Sequence, residues 1–559
     1  MNNSALCNAP TTRRFMKRFI LLNFFMILFF HFIASANNLS ISLPLLTGQN
    51  VSGKYVYVKF DINWENSWMT GSAPNNWDAV WVFVKYKVGS SDWKHATMHS
   101  SGHIAPLGST VTPSVDGKGI FIYRSTSGSG TVNFSSAKLR WDYGVDGVFD
   151  NSQVTIKVIG IEMVYVSDGG FYVGSGGQEW GTFTDGSWDS GNTVPFLISS
   201  ESEIPVGHSS GNLWAKVNSN GDDIGPTTSI PTSFPKGFKS FYCMKYPITQ
   251  EQYVDFLNSL TYDQQVTRTE VLPNSPARTK AMMIASLPKD RNSIQIQTPG
   301  IASSIPAVYG CDLDSNGVFN EASDGQNISC NWLNWGDGTA YCDWAALRPM
   351  SELEFEKACR GSLIIPFQYE RAYGNTILAH LQNITNGGQA NESYVPAAAP
   401  FEHFWNDSIN GASNISAGGY AGFFDYPIRA GIFATSTSDR TQSGATYYGI
   451  MEMSGNLWTR VVTVGNTEGR NFSGTHGDGM LSSSGDQTGN IDWPGTNAVG
   501  SGFRGGNYNY DSDWAMTSDR DLAVHIVTLR YETLSKNYAG HTINGYRGTF
   551  GFRCVRTAP

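Results

Sequence analysis

Apolar and polar positions divide the chain into regions of different pattern. Between residues 51 and 165, short runs of β-branched and aromatic residues recur at 56–62, 80–86, 119–123 and 154–159. Clusters of Gly, Asn, Asp and Ser separate them. Short runs of this kind with turn signals between them predict the strands of a β-sandwich, and no helical period interrupts them. Residues 175–235 are rich in Gly, Ser, Asn and Thr, which predicts a long loop or hairpin insertion. Helical grammar follows. Thr249 precedes a run at 250–258 with Gln252 three residues on, the spacing of a capping box. Ser351 and Glu354 repeat it before Phe355-Glu356-Lys357-Ala358-Cys359, and Gly361 marks the stop. Residues 335–346 predict a third helix, and everything after Gly361 reads as glycine-rich and irregular.

The longest apolar run, 19–33, follows Met16-Lys17-Arg18 and ends at Ala34-Ser35-Ala36. A basic start, an apolar middle and a small-residue cleavage site predict a secretory signal over 1–36. The run is shorter than the roughly 20 residues that span a bilayer. No second apolar run of spanning length occurs, so no membrane span is expected in the mature chain. The expected organisation is a signal at 1–36, a β-sandwich-like domain at 37–158 and an α+β, loop-rich domain at 159–559.

Composition agrees with export. The 559 residues hold 38 Lys+Arg against 47 Asp+Glu, a formal net charge of -9. Charged residues are 15%, against roughly 25% in an average soluble protein. Aromatics at 13% exclude a disordered chain, and the acidic balance argues against a nucleic-acid partner, which needs a basic face. Sixty glycines, 16 tryptophans and 25 tyrosines suit a loop-rich, β-rich protein that is secreted or held at the cell surface. Outside the signal, six cysteines remain: Cys243, Cys311, Cys330, Cys342, Cys359 and Cys554. An even number in an oxidising compartment points to disulfides. His95, His99 and His103 are spaced by four. A helix would make them zinc ligands on one face. Their segment reads as strand and turn, where neighbours stand about 13 Å apart, so a solvated histidine face is expected.

Six blocks in order resemble the formylglycine-generating enzyme (sulfatase-modifying factor) family. They are Glu162-Met163-Val164-Tyr165-Val166 with Gly170-Phe171-Tyr172-Val173-Gly174, then Met244-Lys245-Tyr246-Pro247-Ile248-Thr249, then Tyr341-Cys342-Asp343-Trp344-Ala345 leading into 347–361. Residues 347–361 are similar to the family's R-L-P-T-E-x-E-W-E-x-A-x-R-G signature. Gly449-Ile450-Met451-Glu452-Met453-Ser454-Gly455-Asn456-Leu457-Trp458, Arg504-Gly505-Gly506-Asn507-Tyr508 and Gly551-Phe552-Arg553-Cys554 complete the series. The resemblance implies a fold related to C-type lectins, with few helices, small twisted sheets and long ordered loops. It also implies a disulfide from Cys342 to Cys554.

The family's enzymes oxidise a peptide cysteine to formylglycine, using copper(I) held by two cysteines shortly after the R-G-G block. Soft thiolate ligands are what copper(I) selects. The matching positions here are Tyr510 and Ala515, and no cysteine occurs between Cys359 and Cys554. No copper is therefore expected and no catalytic residue is assigned. Iron chemistry in related proteins uses an H-x-x-x-H-x-E motif; His95 and His99 have the spacing, but Ser101 stands at the carboxylate position. Around the lost copper site the resemblance places Trp458, Asn507, Tyr508, Tyr510, Asp511, Asp513, Trp514 and Arg520. Aromatic area with short amides and carboxylates is binding chemistry, suited to a glycan, peptide or protein.

Two segments are calcium candidates. Asp312-Leu313-Asp314-Ser315-Asn316-Gly317 matches the start of a D-x-D-x-N-G loop, with oxygen ligands from Asp312, Asp314 and Asn316 and Ser323 rather than Glu at the twelfth place. Cys311 and Cys330 bracket this loop and are placed to clasp it. The resemblance implies a second, structural calcium at Glu452 with the carbonyls of Gly455 and Leu457, its second acidic ligand replaced by Thr459. Cys243 and Cys359 are either a new pair or two free thiols. The favoured reading is an exported ligand-binding or adhesion protein. The alternative is an oxidase of the formylglycine-generating type or a related metal-dependent enzyme.

Overall fold

Two kinds of strand organise the molecule, and burial tells them apart. The computed structural model describes residues 38–187, 194–283, 291–377, 381, 384–394, 415–416, 419–420, 426–435, 438–508, 512–538 and 541–559. The expected signal at 1–36, Tyr510 and Asp511 lie outside the described residues. In the strand Tyr55–Met69 burial alternates, and Val56, Val58, Phe60, Ile62 and Trp64 turn inward. That is the period of two for a sheet with one covered face. The strand Asp78–Val88 is buried without a break from Asp78 to Tyr86. Its Val-Trp-Val-Phe-Val run has little polar alternation because both of its faces are covered.

Asp78–Val88 lies inside a large antiparallel sheet. The order is Arg348–Pro349, Cys554–Thr557, Phe241–Met244, Val154–Val166, Asp78–Val88, Ile120–Arg124 and Ser109–Pro113, with Lys94–His95 also paired to Asp78–Val88. A second sheet pairs Tyr55–Met69 with Ser40–Ile41, Leu45–Asn50 and Gly128–Trp141. Val80, Val82, Val84, Ile120 and Ile122 pack against this second sheet. On the opposite face Ala79, Trp81, Phe83, Phe121, Ile161 and Met163 pack against the helices and loops of the second half. The strand Val154–Val166 runs through residue 158, pairing with Asp78–Val88 along its length and with Phe241–Met244 at its end. One strand thus carries both the early and the late residues into a common sheet, and the described residues form one compact unit. The molecule is mostly sheet with few helices.

The helices begin where their caps are. In α1, Gln250–Leu257, Thr249 accepts from the Gln252 amide and Gln252 returns the bond. Helix α2, Tyr262–Arg268, was not expected from the sequence, although Thr261 and Gln264 form the same box. Helix α3 spans Trp335–Trp344 and α4 spans Glu352–Arg360, with Ser351 and Glu354 as its capping box. Gly361 ends α4 at φ 93°, where a Cβ would stand 2.3 Å from the Tyr447 ring. Among the described residues no helix is long and apolar enough to cross a membrane.

Several expectations change. The stretch at 175–235 is irregular, yet Phe183, Phe196, Ile198, Ile204, Leu213, Ile230 and Phe234 all enter the main core. Its glycines turn the chain so that single apolar residues point inward. Cys342 and Cys554 are bonded, tying α3 to the closing strand across 212 residues. Cys311 and Cys330 are not: both are buried free thiols, so the expected clasp is corrected. Cys330 donates instead to the Asn331 carbonyl. Cys243 and Cys359 are free as well. The histidines form no common solvated face. His95 is buried and stacks 5.5 Å from the Phe83 ring, while His103 Nε2 meets the His99 carbonyl at 2.7 Å.

Asp343 of α3 generates a pH prediction. It is buried, and its carboxylate accepts from the amides of Asp478 (2.9 Å) and Thr488 (2.8 Å). Burial outweighs those bonds and pushes its pKa up to about 7. The unfolded carboxyl ionises near pH 4, so the folded state holds the extra proton between about pH 4 and 7. This group's contribution to stability therefore falls as pH rises through that window. Urea unfolding of Asp343→Asn should show a smaller loss of stability between pH 5 and pH 8 than the parent protein; an unchanged pH dependence would show that Asp343 is not the titrating group.

Candidate functional site

Helix α4 is buried along its whole length although most of its residues are polar. Arg348 just before it grips Glu354 through two bonds of 2.8 and 2.6 Å. Glu352 and Glu356, one turn apart on α4, face two arginines distant in the chain, Arg504 and Arg520. Arg504 contacts Glu352 at 3.2 Å and Glu356 at 2.8 Å. Arg520 contacts Glu352 at 2.7 Å, and its guanidinium lies 3.9 Å above the Phe183 ring. Arg360 bonds Glu356, Glu370 and Ser518. Three arginines thus meet three glutamates out of contact with water, and the charges balance. Burial alone would push the Glu352 carboxyl up, but Arg520 and Arg504 outweigh it and hold it below the usual range. The Glu352 oxygens also accept from Val464 N and Thr463 Oγ1 at 2.7 and 2.8 Å. Gly174 N completes Glu356 at 2.8 Å. This lattice ties Arg504 and Arg520 to α4.

The residues assigned to ligand binding are placed unequally by this arrangement. Trp458 is 2% exposed and packs with Phe503 and Phe550 beneath half-buried Trp514. Asn507 and Tyr508 are buried, and Tyr508 N donates to the Asn456 carbonyl at 2.9 Å. Arg520 is spent on Glu352. Asp513 is exposed, and Trp514 is half-buried with its Nε1 donating to Asp521 at 2.9 Å. Of the described members, only Asp513 and Trp514 present themselves to solvent.

The residues present do not fit copper. Ala515, at one of the two thiol positions, is a buried methyl group. The free thiols Cys243, Cys311, Cys330 and Cys359 are all fully buried. Burial pushes Cys243 and Cys311 up to about 12 and raises Cys330 and Cys359 as well. A copper(I) pair needs accessible thiolates, which is the opposite condition.

Glu452, the acidic member of the second calcium candidate, is buried at φ 56°. Its carboxylate accepts from Gly431 N, from Asn456 Nδ2 at 3.1 Å and from Ser329 Oγ at 3.4 Å. Gly455 N donates to the Gly505 carbonyl at 2.7 Å, and Leu457 is buried. Protein donors already surround this carboxylate. The Asp312 loop is different: Asp312, Asp314 and Asp324 each bring a carboxylate oxygen within 4.8 Å of the others. Asn316 turns its amide nitrogen to the carboxylates, donating to Asp314 at 3.1 Å and to Glu321 at 2.7 Å, while its oxygen accepts from Val318 N. Asp324 lies outside the D-x-D-x-N-G pattern of residues 312–317. Its signal was its place one residue beyond the expected twelfth position.

The sequence also gave no hint of a cavity of about 370 Å³ between residues 39–41, residues 158–160 and α1. Glu162, Glu251, Asp255, Tyr246 and Tyr341 are among its lining residues. Burial raises the pKa of Glu251, Asp255 and Glu162, while Lys245 partly offsets that at Glu162 through a 3.0 Å contact. The volume is in the range of small-ligand sites, roughly 300–1,000 Å³.

A family model described as the sulfatase-modifying factor enzyme 1-like domain matches residues 161–558, well over half of the chain. No curated protein gives a significant match.

The lattice has a measurable cost of disruption. Glu352→Gln leaves Arg520 and Arg504 buried with one carboxylate fewer, so chemical denaturation should show a loss of about 3–5 kcal/mol. Exposed Asp513→Asn should change stability by no more than about 0.5 kcal/mol. Equal effects would contradict the assignment of the lattice as a buried, balanced network.

Proposed function

We propose that this chain, which belongs to the sulfatase-modifying factor enzyme 1-like family, works as an exported ligand-binding or adhesion protein and not as an oxidase. The observation that carries the reading is the chemistry at the copper position. Ala515 stands where a thiolate is required, and the four free thiols elsewhere are buried and hard to ionise. Formylglycine formation uses oxygen to turn a cysteine's CH2–SH into an aldehyde with loss of its sulfur, and among the described residues no accessible pair of free thiols is present to hold the copper(I) that would mediate it. The enzyme reading gains nothing from the geometry.

Two regions support binding. Asp513 and half-buried Trp514 offer a carboxylate beside an aromatic face, the pairing used for sugar rings and peptide side chains. The acidic cavity beside α1 offers a small, partly open volume with several carboxylates. Export rests on the segment at 1–36, with its basic start and Ala-Ser-Ala end. The core between the two early sheets supports a sandwich-like module ahead of the matched domain. The scarcity of helices in a loop-rich domain supports a C-type-lectin-related fold.

Oxygen consumption with copper and a cysteine-containing sulfatase peptide should equal the protein-free rate, with no aldehyde formed. Glycan and peptide arrays should give saturable binding to one ligand class. Trp514→Ala should weaken it about tenfold, the equivalent of about 1.4 kcal/mol. Conversion of the peptide thiol to an aldehyde would contradict the proposal. Silence on both arrays, together with a tight protein partner in pull-down, would replace it with a scaffold role.

A further inference from the structure

We propose that residues 312–324 form a calcium-binding loop whose side-chain ligands are Asp312, Asp314 and Asp324. The three carboxylates converge within 4.8 Å, although two of them, Asp312 and Asp324, are 0% exposed. Like charges at that distance repel unless a cation lies between them. Among the described residues no lysine or arginine forms an ion pair with any of the three.

A second observation points to a missing ligand. Asp312 Oδ2 accepts from Gly317 N at 3.2 Å and Asp324 Oδ2 accepts from Glu321 N at 2.7 Å. The other oxygen of each, Asp312 Oδ1 and Asp324 Oδ1, is buried and accepts no hydrogen bond. Leaving a buried carboxylate oxygen unsatisfied is costly, and two together are rare without a reason. A cation coordinated by these oxygens supplies the reason.

The donor set selects the ion. All three ligands are hard oxygens, with no imidazole or thiolate in the group, which disfavours zinc and copper. The ligands sit in an irregular loop, where calcium's tolerance of flexible six- to eight-fold coordination suits the site better than magnesium's strict octahedron. Asn316, which the sequence pattern named as a ligand, holds the loop's shape instead: its Oδ1 accepts from Val318 N at 2.7 Å. Asp324 takes the place left by the missing twelfth-position glutamate.

The loop is also wired to α1. The chain just beyond it gives the Gln326 carbonyl to Glu251 N and the Ile328 carbonyl to Gln250 N, both at 3.0 Å. Gln326 Nε2 reaches back to the Glu321 carbonyl at 2.8 Å. Calcium in the loop would therefore brace the first turn of α1, from which Glu251 and Gln252 face the 370 Å³ cavity, with Asp255 one turn further on.

The test is calorimetric titration of the purified, chelator-stripped protein with calcium chloride, paired with thermal unfolding. Saturable binding is expected, with a Kd between about 1 μM and 1 mM. Saturating calcium should raise Tm by about 2–4 °C. Asp314→Asn, at an exposed position that folding tolerates, and Asp324→Asn should each weaken binding about tenfold or more. In chelator both variants should be at least as stable as the parent, because each removes a repelling charge. No heat and no shift at about 10 mM calcium would overturn the proposal. So would calcium binding that survives undiminished in the Asp314→Asn, Asp324→Asn double variant, because the ion would then sit elsewhere.

Discussion

The buried exchange of charge between α4 and the 504–520 segment is the constraint on which the matched domain depends. Arg360, Arg504 and Arg520 neutralise Glu352, Glu356 and Glu370, and neither set can be buried without the other. The exchange spans chain segments about 150 residues apart, in a region with little regular secondary structure to align them. A hydrophobic contact could slide by a residue at small cost. A bidentate guanidinium–carboxylate contact cannot, because the geometry and the charge balance are both lost. Polar contacts therefore do here what helices and long strands do in more regular folds, and they tie Arg504 and Arg520 to α4.

The second organising feature is the doubly buried strand Asp78–Val88. One face closes on the early sheet and the other on the helices, so the two cores share a wall. That arrangement was legible only in part. Its near-continuous apolar run marked a strand and carried no information about what covered each side. The helices α1 and α4 were legible because their capping boxes are local and their reasons are backbone reasons. Helix α2 had the same box at Thr261 and Gln264, but its seven residues give too little period to see. The strand Gly128–Trp141 was missed because Ser and Gly interrupt it and two register shifts break its alternation.

At the site, the absence of thiols could be read directly, since chemistry that needs sulfur cannot be replaced by Tyr and Ala. Burial could not. Trp458, Asn507, Tyr508 and Arg520 are attractive as a list of ligand-binding types, but the lattice and the Phe503–Phe550 cluster take them inward. Arg520 is the clearest case: nothing local to it announces Glu352, which lies 168 positions away. The same distance effect hid the cavity, whose walls come from segments as far apart in the chain as Leu39 and Tyr341. Asp312 and Asp314 were visible from their spacing. Asp324 needed the loop's actual path.

The chain thus carries the sulfatase-modifying factor enzyme 1-like domain with a buried alanine at 515 and, among the described residues, free thiols that are all buried. The most direct test is copper(I) affinity, measured anaerobically by competition with a copper-specific chelator. The protein is expected to take no copper from the chelator and to develop no thiolate-to-copper absorption. Stoichiometric transfer of copper to the folded protein, with that absorption, would contradict it.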